Sequence, residues 1–198
     1  MEFITLPVGD LRANAYILYQ PERDDALVID AGAEPEKILA ALDGRRLAGI
    51  LLTHGHMDHI GAVKALRGPD TPVYIHREDG PMLVNPALSL AHMGGVEPSQ
   101  GEADVLLEAG AIEVAGVPIE VIHTPGHTPG GVCYRCGDEL FTGDTLFRRG
   151  YGRTDFPGGD IHALARSLRS LLALDANLRV HPGHGESTTI GEERRYGL

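Results

Sequence analysis

Cysteine is scarce, positive charge is in deficit, and no long apolar run occurs; each shortage removes a class of function. Cys133 and Cys136 are the only cysteines among 198 residues, so no disulfide framework organises the chain, and a chain of this length can bury a sufficient core without one. Their C-x-x-C spacing is that of a redox pair or of half a zinc site. The surrounding G-G-V-C-Y-R-C-G-D-E-L-F reads instead as a strand entering a Gly137-Asp138 turn, where side chains three apart face opposite ways. With no second C-x-x-C and no helix N-terminus beside them, both are expected to be structural thiols in a reducing compartment.

Lysine and arginine number 17 against 28 aspartates and glutamates, a net charge of -11. Nucleic-acid affinity rests on neutralising phosphates with cations, so nucleic acid is not an expected partner. The chain opens with no charged-then-apolar leader and contains no membrane-length apolar span, which predicts a cytoplasmic protein without a membrane partner. No G-x-S-x-G elbow occurs, which argues against an α/β-hydrolase serine route.

What is present reads as alternating short elements in a single domain over 1–198. Phe3 to Leu6, Ala15 to Tyr19 and Ala26 to Asp30 form an expected antiparallel meander. A helix should start at Pro35, bury Ile38, Leu39, Ala41 and Leu42, and end at Gly44. Gly49 to Thr53 reads as a buried strand, with a helix after Ile60. Residues 77–110 are irregular and fit either a lid or a short helix packed on the core. Strands follow at Ile112–Val114, Val117–His123, Val132–Arg135 and Glu139–Phe141, then a final helix over Ile161–Leu172 and a last strand at Leu178–Val180. This order predicts an α/β architecture, a four-layer αβ/βα sandwich in which two mixed sheets pack face to face with helices outside.

The richest stretch is T-H-G-H-M-D-H, which places His54, His56, Asp58 and His59 on the loop between a strand and a helix. Alternate residues of an entering strand share a face, so His54 and His56 can converge on one ion while slim Gly55 lies between. Asp58 and His59, half a turn on, point elsewhere and can serve a neighbouring ion. Further candidates stand in matching loops: His127 in H-T-P-G-H-T-P-G-G, Asp144 in F-T-G-D-T-L-F and His184 in H-P-G-H-G-E. Each follows an expected strand and sits beside glycine or proline, as loops gathered at one edge of a sandwich would.

These stretches, with G-R-T-D-F-P-G-G-D and T-T-I-G-E-E-R, resemble the metallo-β-lactamase-fold hydrolases, and within them the short bacterial glyoxalase II (hydroxyacylglutathione hydrolase) branch. The resemblance implies that His54, His56 and His127 hold one metal, that Asp58, His59 and His184 hold a second, and that Asp144 bridges them. It implies two divalent transition-metal ions, zinc first, with iron or manganese accepted by the same donors. His76, His92 and His162 match no motif position and are expected to be surface or packing residues. His123 should end a strand and at most orient a ligand, and His181 yields the ligand role to His184.

Two cations holding one water between them should acidify it toward neutral pH, giving a hydroxide nucleophile for a carbonyl. Asp58 and Asp144 are then the catalytic carboxylates, and the expected reaction is hydrolysis of a glutathione-type thioester, a small-molecule substrate. The resemblance assigns Arg153 to substrate binding. Thr154 and Asp155 replace the aromatic pair usual there, Glu186 stands where an aromatic is common, and the helical extension that helps full-length glyoxalase II bind glutathione is not expected. The G-R-T-D-F stretch is also similar to mononuclear-iron persulfide dioxygenases of the same fold, the alternative reading.

Overall fold

The computed structural model describes residues 1–197. Strands β1 (Glu2–Val8), β2 (Ala13–Tyr19) and β3 (Asp25–Ile29) pair antiparallel, as the alternating runs predict. Helix α1 (Pro35–Ala41) then carries the chain across, so β4 (Arg46–Leu51) joins β3 in parallel. Strands β5 (Val73–His76) and β6 (Val105–Leu107) extend the sheet in the same sense.

The second sheet begins with an antiparallel run of β7 (Gly110–Val114), β8 (Val117–His123), β9 (Val132–Cys136) and β10 (Glu139–Gly143). The Gly137 turn has φ 63, the left-handed conformation that glycine adopts without cost. Helix α5 (Ile161–Leu172) crosses over to β13 (Arg179–Pro182), parallel to β10, and β14 (Thr188–Thr189) closes the edge. Asp160 caps α5 by accepting from the His162 and Ala163 amides at 2.7 and 3.1 Å.

All five residues of β3 are buried because both faces of the sheet are covered. Leu27 and Ile29 face the other sheet, packing with Val121, Tyr134 and Phe141. Ala26 and Val28 face the outer helical layer with Ile38, Val63 and Leu66. Beyond the second sheet, Leu164, Leu168 and Leu171 of α5 cover Cys133, Leu140 and Val180. The layers are helix, sheet, sheet, helix, the predicted sandwich. Cys133 lies under α5 and Cys136 between the sheets, and burial pushes both thiols up to about 12.

Several local expectations are corrected. A helix does not wait until Ile60: α2 (Met57–Ile60) already contains Asp58 and His59, and α3 (Val63–Leu66) follows. Residues 77–110 contain a 3-10 turn at Gly80–Leu83, α4 (Ala91–Gly94) and strand β6. The α5 helix is not the last one, since α6 (Ile190–Arg195) packs against it. A small hairpin of β11 (Leu146–Phe147) and β12 (Gly150–Tyr151) stands apart from both sheets.

Candidate metal centre

The seven candidate ligands come from four chain segments, each following a strand of one of the two sheets. His54, His56, Asp58 and His59 follow β4, His127 follows β8, Asp144 follows β10 and His184 follows β13. The structure brings all seven together. Donor atoms of His54, His56 and His127 lie within 4.8 Å of one another, and so do those of Asp58, His59 and His184. Asp144 spans the two groups: Oδ1 is 3.4 Å from His59 Nε2, and Oδ2 is 3.6 Å from the Nε2 atoms of both His127 and His184.

Hydrogen bonds at the rear of the rings decide which nitrogen faces inward. Asp30, at the end of β3, accepts from the Thr53 amide at 2.8 Å and the Thr53 hydroxyl at 2.7 Å, and pairs with His59 Nδ1 at 2.9 Å. Thr53 Oγ1, its proton committed to Asp30, accepts from His54 Nδ1 at 3.1 Å. His127 Nδ1 donates to the Arg153 carbonyl at 2.7 Å and His184 Nδ1 to the Leu11 carbonyl at 3.1 Å. In all four rings the rear hydrogen bond occupies Nδ1 and turns Nε2 toward the centre, the arrangement that orients ligating histidines. His56 is turned the other way, its Nδ1 2.9 Å from His127 Nε2.

The donor set fits a pair of cations. Nε2 of His54 and His59 and Oδ1 of Asp144 are buried without any hydrogen-bond partner in the protein. Each such orphan costs about 1 to 3 kcal/mol unless something satisfies it. Burial, with the neighbouring histidines, holds His54 well below its ordinary value and His56 down to about 3, so their lone pairs are free. Burial alone would raise the Asp58 and Asp144 carboxyls, but the positive ring of His59, with His184 beside it, holds both below the ordinary range. These two are carboxylates at any working pH.

Residues that sequence reasoning missed brace these loops. Asp79 is 0 % exposed and accepts from the Gly130 amide at 2.6 Å, the Thr128 hydroxyl at 2.7 Å and the Gly55 amide at 3.2 Å, tying the His127 loop to the His54–His56 loop. Asn14 Nδ2 donates to the Pro182 and Gly185 carbonyls, both at 3.0 Å, and holds the His184 turn. Gly183 leaves room for the bridge, because a Cβ there would collide with Asp144 Oδ1. Nothing in the sequence marks Asp79 or Asn14; Asp30 at least ends a legible apolar strand.

The other histidines stay outside. His123 ends β8 and donates to Pro129 O at 3.0 Å, bracing the His127 loop. His181 lies between Ser187 and Glu139, and His92 and His162 are exposed. His76, Glu78 and His123 also bring three donors within 4.8 Å. The two rings are stacked 11° from parallel at 4.1 Å, so their in-plane lone pairs do not converge on a point between them.

A cavity of about 650 Å³ opens over the centre, with His56, Asp58, His127, Asp144 and His184 on its floor. Arg153 lies in the wall, but its Nε and Nη2 each bond Asp155 at 2.6 Å and its guanidinium lies 4.0 Å over the Phe156 ring. Arg148 pairs with Glu186, and Arg149 stacks on Tyr196.

A sandwich of two mixed sheets with a histidine- and aspartate-rich centre at its strand ends defines a metallo-hydrolase. The chain matches the Metallo-beta-lactamase superfamily over residues 8–184 and belongs to that family. It is 38% identical to the probable metallo-hydrolase YqgX of Bacillus subtilis, over 98% of this chain and 95% of that one. It is 33% identical to the hydroxyacylglutathione hydrolase GloC of Haemophilus influenzae, over 98% and 96%. Among solved structures, TTHA1623 in a di-iron-bound form superposes with TM-score 0.86 at 42% identity, covering 98% of each chain. ETHE1 from Myxococcus xanthus superposes with TM-score 0.83 at 30% identity, over 99% of this chain and 83% of that one. The family and its fold support a metal-dependent hydrolase. No helix among the described residues is long and apolar enough to cross a membrane.

Proposed function

We propose that this protein is a dinuclear metal-dependent thioester hydrolase of the glyoxalase II type acting on a small molecule. The observation that carries the reading is the pair of three-residue donor groups with Asp144 between them, ending in buried atoms that lack partners. The likeness to GloC, by its name a hydroxyacylglutathione hydrolase, supports the same reaction. Zinc suits imidazole and carboxylate donors, and so does iron, which TTHA1623 carries as a pair.

When bound, two divalent cations supply an acidified water and polarise a carbonyl oxygen. The chain's residues do the rest. Asp144 fixes the spacing of the two groups. Asp58, ionised and 20% exposed at the cavity floor, would hold one cation with His59 and His184 and can accept a hydrogen bond from the attacking water. The Arg153 carbonyl keeps the His127 ring in place. A thiolate leaves readily, so no separate acid is required.

The alternative, a mononuclear-iron persulfide dioxygenase, rests on the G-R-T-D-F stretch that forms one cavity wall. An oxygen electrode beside a thiol assay separates the two. Under argon, S-lactoylglutathione should be cleaved at the rate seen in air. Oxygen uptake on glutathione persulfide without thioester cleavage would give the case to the dioxygenase.

A further inference from the structure

We infer that the substrate carries an aliphatic acyl arm, seated in the cavity over the metal centre; the bond cleaved rests on the hydrolase reading above. Apart from Tyr151 and Arg153, every polar side chain lining the cavity is a candidate metal ligand. The remaining wall is Leu11, Met57, Leu90, Met93 and Phe147, with Phe156 lying beneath Arg153. Leu11 is 56% and Met93 62% exposed, so the mouth holds apolar surface that water covers poorly and an alkyl chain would cover well. Two methionines in the wall adapt to chains of differing shape.

The backbone reinforces this. Leu90 has φ 62, a left-handed conformation costly for a bulky residue, and it stands as a wall residue just before α4. Such strain persists where the surrounding structure over-determines it, and here it places an apolar side chain against the cavity.

The charges argue against an anionic arm. Arg153 already gives Asp155 two bonds and Arg148 already faces Glu186, so a carboxylate on the substrate would share either guanidinium with an acid that has already offset its charge. It would also approach a chain of net charge -11. A neutral alkyl arm meets none of these penalties. Water adds across the thioester: the C–S bond breaks, a C–O bond forms, one water proton ends on the departing thiol, and the other passes to solvent as the acid leaves as a fatty carboxylate.

The test reads binding apart from turnover. S-alkyl thioethers of N-acetylcysteamine, methyl to octyl, have no cleavable carbonyl and can be titrated calorimetrically into the metal-loaded protein. The dissociation constant should fall about fourfold per methylene until the cavity is full, and S-methylglutathione should bind no more tightly than its N-acetylcysteamine counterpart. Leu11→Asp and Met93→Asp, both at exposed positions, should flatten the series. A dissociation constant independent of chain length, or S-methylglutathione binding tighter than the octyl compound, would overturn the inference. A steep series with no thioester cleaved would sink the hydrolase reading and leave the apolar subsite standing.

Discussion

Asp144 is the residue on which the two donor groups depend, because Oδ2 lies between His127 of one group and His184 of the other while Oδ1 faces His59. Asp144→Ala should therefore deplete both ions and bring thioester cleavage to near the uncatalysed rate. His162→Ala, on the exposed face of α5, should leave metal content and rate unchanged. Elemental analysis and a thiol assay on the two variants check this, and retention of both ions by Asp144→Ala would contradict the bridge. Asp79→Asn keeps the shape but can satisfy fewer of the three donors that now converge on it. It should cost about 10- to 100-fold in metal affinity or rate, as residues behind ligands do, read by chelator competition. The ligands were legible because they stand in short strings with their glycines and prolines. Asp79 was not, since it meets Thr128 and Gly130 across 49 and 51 residues, a separation no local pattern records.

Among elements, the long strands and α1 and α5 could be read from periodicity, because seven-residue strands and a 12-residue helix repeat their pattern enough to be seen. The two-residue strands β11, β12 and β14 repeat nothing, and α2 is a single turn whose polar ligands hide its helical character. The parallel start of β3 and β4 carries its own prediction. Asp25 accepts Arg23 at 2.7 Å and Arg46, its partner in the register, at 3.0 Å. The Arg23 bond first, and then both guanidinium charges against an opposing burial effect, hold its carboxyl below the ordinary value. A depressed folded-state value stabilises above the unfolded pKa of about 3.9, and that contribution disappears as pH falls through the folded value. Asp25→Asn should accordingly lower the melting temperature by a few degrees at pH 7, with the gap to the parent closing below about pH 4. A gap that stays constant down to pH 3 would show that the ion pairs contribute nothing there.

For the molecule as a whole, the element order predicted the four layers because buried β-like runs alternating with amphipathic helices leave few ways to cover both faces of two sheets. The surface was less legible: Arg148, Arg149 and Arg153 stand close in sequence, and folding pairs Arg148 and Arg153 with acids and lays Arg149 on a ring. Side-chain pairing of that kind is settled only in three dimensions. The central claim, a two-cation centre that hydrolyses without oxygen, is tested most directly by titrating the metal-free protein with zinc or iron(II) under argon while following thiol release from a thioester. Activity should climb to its maximum and break at two equivalents per chain. A break at one equivalent, or turnover that begins only when oxygen is admitted, would contradict the account.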